Sequence, residues 1–216
     1  MKERFILFSA PMVRAILAGT KTQTRRVVKL KPGDSVNKFF EDEGRGEIYI
    51  QSADDEVCTA YPCPYGKLGD RLWVKETHFL TPPRWTDHES NYNVRDPEGN
   101  GRIAGYVATM DPEAIRCAHD YKLRQRPSIH MPRWASRLTL EITSVRVERV
   151  QEISEADAKA EGVRDLLTRP DSVAIKPSTA CFIRLWDSIN AACSFGWDAN
   201  PWVWVVEFKR VPQPAA

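Results

Sequence analysis

The chain has 216 residues, enough to bury a real core without staples, and reads as a single domain carrying an insertion. It is 42% hydrophobic and 28% charged, and its 31 Lys and Arg nearly cancel its 29 Asp and Glu to leave a net charge of +2. That balance is too even to signal a nucleic-acid wrap or a polybasic membrane anchor, and leaves a small neutral or anionic partner or a local basic patch.

The first predicted element is a buried strand, FILF at residues 5–8. Ser9 reads as the cap of a helix with Pro11 in its first turn. Met12, Val13, Ile16 and Leu17 recur at helical spacing, and Gly19 ends the element. Turn signals then break the chain up to Lys67, around one strand at Glu47–Gln51. LGDRLWVKET turns at Gly69-Asp70 and becomes a strand. Alternation puts Leu72, Val74 and Glu76 on one face, an unusual place for a carboxylate.

Residues 79–125 form a long Pro-, Asp- and Asn-rich insertion, with a short strand near Ile103–Ala108 and a helical turn near 112–118. It follows the Glu76 strand directly, so it is expected to overhang a pocket, with Trp85, Tyr92 and Tyr106 as an apolar wall. RPSIHMPRW predicts Ser128 and His130 on one strand face, and Trp134 after a proline turn. RLTLEITSVRVERV, 137–150, alternates cleanly apart from a kink at Thr143-Ser144. Ser154 caps a short helix stopped by Gly162, and Ser178 caps a longer one, 179–193, with the stripe Phe182, Leu185, Trp186 and Ile189. The last strand, opened by Pro201, puts Trp202, Trp204 and Phe208 on one face and Val203 and Val205 on the other, so it should be central or barrel-forming. Strands dominate without βαβ alternation. The expected fold is mixed α+β: a small barrel with helices packed outside.

No stretch approaches 18 apolar residues, so no membrane span is expected. The opening MKERFILFSAP lacks a signal-peptide apolar region, and five irregularly spaced cysteines point to a reduced cytoplasm. Cys58-x4-Cys63 and Cys117-x-His119 lack the two-pair spacing of a structural zinc site, so no metal is assigned.

GTKTQTRR, at 19–26, raises a chemical question. If the helical turn continues, Lys21 and Thr24 lie on one face, an amine beside a hydroxyl. Burial lowers a lysine pKa and would let the amine take the hydroxyl's proton, with Glu76 as the nearby carboxylate. On spacing alone the commoner readings are a solvated turn for K-x-x-T, a salt-bridge partner for Glu76, and a solvated pair or phosphate contact for Arg25-Arg26.

Gly19, Lys21, Thr24 and Arg26, in the pattern G-x-K-x-x-T-x-R, resemble the signature of ASCH domains, a branch of the PUA-like barrels. LGDRLWVKET, RPSIHMPRWASRLTLEIT and WDANPWVWVVEF are similar to stretches of the larger phage and bacterial ASCH proteins, in the same order. Some ASCH proteins are amidohydrolases that cleave N4-acetylcytidine. The resemblance implies Lys21, Thr24 and Glu76 as the catalytic set, with no metal or organic cofactor and a small modified cytosine nucleoside as substrate. Either Thr24 attacks, Lys21 takes its proton and Glu76 orients the lysine and protonates the leaving amine, or Glu76 activates water while Lys21 and Thr24 hold the oxyanion. Arg26, His130 and Trp134 are the candidate substrate-binding residues. The alternatives are a module binding RNA or a modified nucleotide without turnover, and a ribonuclease.

Overall fold

The structure, a computed structural model, describes residues 1–30, 36–42, 47–52, 58–81, 94–95, 103–163 and 178–212. Among the described residues, twelve strands form three sheets. The central one contains β1 (Glu3–Leu7), β2 (Gln23–Val27), β6 (Arg71–Lys75), β11 (Thr139–Arg149) and β12 (Trp202–Val211), in the order β1-β6-β11-β12-β2. Only β1 and β6 run parallel. A three-stranded sheet joins β3 (Val36–Asp42), β4 (Glu47–Ser52) and β5 (Cys58–Ala60). The insertion region supplies a third sheet of β7 (His78–Leu80), β8 (Val94–Arg95), β9 (Ile103–Tyr106) and β10 (Gln125–Arg126), in the order β10-β7-β9-β8. The helices are α1 (Ala10–Leu17), α2 (Pro112–Asp120), α3 (Glu155–Ala160) and α4 (Ser178–Asn190). No helix among the described residues is long and apolar enough to cross a membrane.

The mixed α and β content matches the expectation, but the central sheet is open. Its edges are β1 and β2, and among the described residues no ladder joins them. A side chain spans the gap instead: the Arg26 guanidinium of β2 donates to the Leu7 carbonyl of β1 at 2.7 Å.

The two apolar faces of β12 explain its central position. Trp204, Val206 and Phe208 enter a core with Ile6, Leu72, Val74, Leu140 and Ile142, while Val203 and Val205 enter a second with Val150, Ile153, Phe182 and Trp186. The expected kink in β11 is a register shift between Ile142 and Ser144, beside the turn that opens β6.

Two local expectations are corrected. Residues 128–130 form a 3₁₀ turn, not a strand, bracketed by Pro127 and Pro132, whose fixed φ favours turns. Ser178 lies inside α4 rather than capping it. The Glu155 carboxylate at the start of α3 instead accepts the Ser178 and Thr179 amides, at 2.7 and 3.0 Å, and the Thr179 hydroxyl at 2.7 Å. These bonds depress the Glu155 pKa from its ordinary 4.5 to about 2. A depressed carboxylate contributes stability above its unfolded pKa and loses it as pH falls through the folded one. Acid titration between pH 4.5 and 2 should therefore loosen α4, read as a red shift of buried Trp186 emission, and Glu155→Gln should remove that part of the pH dependence.

Candidate active site

The approach to Lys21 is not helical. Gly19 takes φ +75°, the helix stops, and Lys21 forms an isolated bridge with Glu161 before β2 begins. Lys21 and Thr24 are thus related by strand geometry. Alternation in β2 sends Gln23 and Arg25 to one face and Thr24 and Arg26 to the other.

Lys21 is 2% exposed. Its Nζ donates to the Gln23 carbonyl at 2.8 Å, the Glu161 carbonyl at 3.0 Å and Glu161 Oε2 at 2.8 Å. Three acceptors for three protons is the arrangement of an ammonium. Burial pulls the Lys21 pKa below its ordinary 10.5, and the Glu161 carboxylate opposes that pull. Gly162 makes the close approach feasible. It sits at φ +73°, and a Cβ there would lie 2.9 Å from the Cβ atoms of both Ala15 and Lys21. Gly162→Ala should cost about 1–2 kcal/mol in backbone strain alone and push Lys21 off Glu161. A thermal melt should fall, and a variant with an unchanged melt would show that this contact is not needed.

Glu161 also accepts from Arg25 Nη1 through Oε1, at 3.3 Å. Arg25, fully buried in its side chain, reaches Glu148 through Nε at 3.0 Å and Asp157 at 3.4 Å, and lies over the Phe182 ring of α4. Arg146 extends the network to Glu148, Asp157 and Glu207.

Thr24, 3% exposed, opens onto a cavity of about 200 Å³ along the β2 edge. Arg26, Glu161, Tyr65, Met12 and the α4 residues Phe182 and Trp186 line it too. A neighbouring cavity of about 490 Å³, walled by Tyr61, Tyr65 and Trp204, shares Val27, Lys29 and Tyr65 with the first. Phe8 sits beneath two cations, with Lys21 Nζ 5.6 Å and Arg26 Cζ 5.5 Å from its ring centre. Arg26 Nε is buried and has no partner among the described residues.

Glu76 does continue the apolar face of β6, at 1% exposure. The pairing of Ile6 with Val74 puts Phe8 and Glu76 on this same face by alternation. The carboxylate partner expected for Lys21 is nevertheless a different residue. Both Glu76 oxygens go to Arg137, from Nε and Nη2 at 2.9 Å each, while Lys21 is held by Glu161. Arg137 is fixed in turn by the Thr109 hydroxyl and by the Tyr106 ring, 4.0 Å from its Cζ. Burial raises the Glu76 pKa and the Arg137 guanidinium opposes it. His78 donates from Nδ1 to the Glu76 carbonyl, 3.0 Å away, and its buried Nε2 has no partner among the described residues.

The other expected residues fall elsewhere. His130 is exposed at the end of its turn, and Trp134 packs against Ala104, Tyr106, Met131 and Ala135. Like Lys21 and Glu76, neither is among the residues lining the Thr24 cavity. Tyr106 lies under Arg137 with its hydroxyl on the Ala135 carbonyl. Trp85 and Tyr92 lie outside the described residues. Sequence reading missed Glu161 and Arg137. The signals were present: Glu161 precedes the glycine that stops α3, and Arg137 precedes the strand that pairs with β6.

No protein family, curated protein or solved structure matches the chain.

Proposed function

We propose that this chain is an ASCH domain of the PUA-like class that hydrolyses the N4-acyl group of N4-acetylcytidine and related cytosine nucleosides. The observation that carries the reading is the β2-edge cavity, which Thr24 and Glu161 both line, with the Glu161 carboxylate holding the buried Lys21 amine. The four sequence stretches supply the substrate class; the geometry supports the chemistry. Arg26, on the same wall, is the candidate for the substrate's polar edge.

The protonation pattern favours the second of the two mechanisms. A carboxylate held by both arms of a guanidinium is an ionised acceptor, which suits Glu76 as the base that activates water. An ammonium suits Lys21 as the charge that stabilises the oxyanion, with Thr24 as the second donor. All three Lys21 protons are engaged by protein oxygens, so an oxyanion feels its field and gains a hydrogen bond only by displacing one of them. Incubation with N4-acetylcytidine and chromatography for cytidine tests the reading, and absence of product would sink it.

One observation favours a second reading, a module that binds modified nucleotides without turnover. Lys21, Arg25 and Glu76 are all ion-paired, and such a network can be structural. Calorimetric binding of N4-acetylcytidine with no cytidine released would select it.

A further inference from the structure

We infer that Glu161, which lines the Thr24 cavity, is the positioning residue that holds Lys21 behind it as an ammonium. The inference rests on the amidohydrolase reading for its catalytic meaning, but the pairing itself stands on geometry. Glu161 meets Lys21 Nζ twice, through Oε2 at 2.8 Å and its own carbonyl at 3.0 Å, and it lines the cavity that Thr24 and Arg26 line. The backbone bridge between the two residues and the left-handed Gly162 fix this approach before either side chain is placed. Oε1 is tied to Arg25, so the carboxylate cannot swing away without breaking a second buried contact.

The balance of charge around Lys21 gives Glu161 its effect. Burial pushes the ammonium toward losing its proton, as do Arg26 and Arg25 of β2 to a lesser extent, and Glu161 is the carboxylate in direct contact that resists. Glu148 of β11 and Asp157 of α3 act on Arg25, with Arg146 shared between them, and none of these three touches Lys21 in the contacts described. Removing the Glu161 charge should therefore move the Lys21 titration to lower pH. Activity that needs the ammonium would then fail on the alkaline side at lower pH than in the unaltered protein.

The test has two arms. In the first, the Lys21 side-chain signal is followed by NMR against pH, assigned by its loss in Lys21→Arg. Glu161→Gln should lower its midpoint, while Glu76→Gln leaves it unmoved. A midpoint that follows Glu76 and ignores Glu161 overturns the inference. In the second arm, Glu161→Gln should lower turnover of N4-acetylcytidine by about 10²-fold or more and shift the alkaline limb of the pH profile downward, with KM changed little. If Glu161→Gln fails to fold, Glu161→Asp replaces it in the turnover arm, where it is expected to fold, keep the alkaline limb and lose part of kcat. Full turnover and an unchanged limb in either variant would remove the positioning role. A wild-type protein that releases no cytidine sinks the amidohydrolase reading, and the NMR arm still decides the Lys21–Glu161 pairing.

Discussion

Lys21→Ala, Thr24→Ala and Glu76→Ala should each lower turnover of N4-acetylcytidine by about 10²–10⁴-fold, the usual range for a positioned acid, base or oxyanion donor. The order is informative. If Glu76 activates water, Glu76→Gln keeps its shape and most of its contact with Arg137 but loses the base, so kcat falls while KM stays. Thr24→Ala then costs least, because it removes one of two oxyanion donors. If Thr24 is the nucleophile, Thr24→Ala costs most, and wild-type protein should show a burst of cytidine followed by slower release of acetate. Folding must be checked in parallel by circular dichroism, since Lys21→Ala leaves Glu161 with Arg25 as its remaining partner. Any one variant with near-wild-type turnover and intact fold would lose its residue a place in the site.

The legible parts of this molecule are those set by local periodicity. The two apolar faces of β12 announced a central or barrel-forming strand, which the structure places between two cores, and the phase shift at Thr143-Ser144 announced the bulge. Glu76 could be placed on the interior face of β6 because strand alternation needs no knowledge of neighbours. The errors come from contacts distant in sequence. Helical spacing related Lys21 to Thr24, but Gly19 ends the helix and the bridge to Glu161, 140 residues away, sets the backbone instead. The same blindness hid Arg137, 61 residues from Glu76, and the Glu155 carboxylate that takes over the cap expected of Ser178. The edges of the central sheet are likewise a matter of which strands meet, which no local pattern encodes.

Arg25→Met should be the most destabilising polar-to-apolar change in the site, at roughly 3 kcal/mol, the lower end of what breaking a buried ion pair costs. The Arg25 side chain is fully buried and contacts Glu148, Asp157 and Glu161. Methionine can fill the volume over Phe182 but supplies no donors. Three carboxylates would then face Lys21 and Arg146 with one cation fewer. Arg146 already bonds Glu148 and Asp157, and Lys21 already bonds Glu161, which keeps the loss from the top of the range. Glu148 and Asp157 also retain some contact with water, their side chains being 15% and 25% exposed. Urea denaturation at constant m value measures the loss. A double-mutant cycle with Glu148→Gln separates the pair from the packing. The two residues are in contact, so a coupling of about 0.5–3 kcal/mol is expected, the double variant being more stable than the two single losses added together. A loss under 1 kcal/mol for Arg25→Met, or strict additivity with Glu148→Gln, would mean that the network contributes little to the fold. Its conspicuous charges would then have to be explained by the cavity they border.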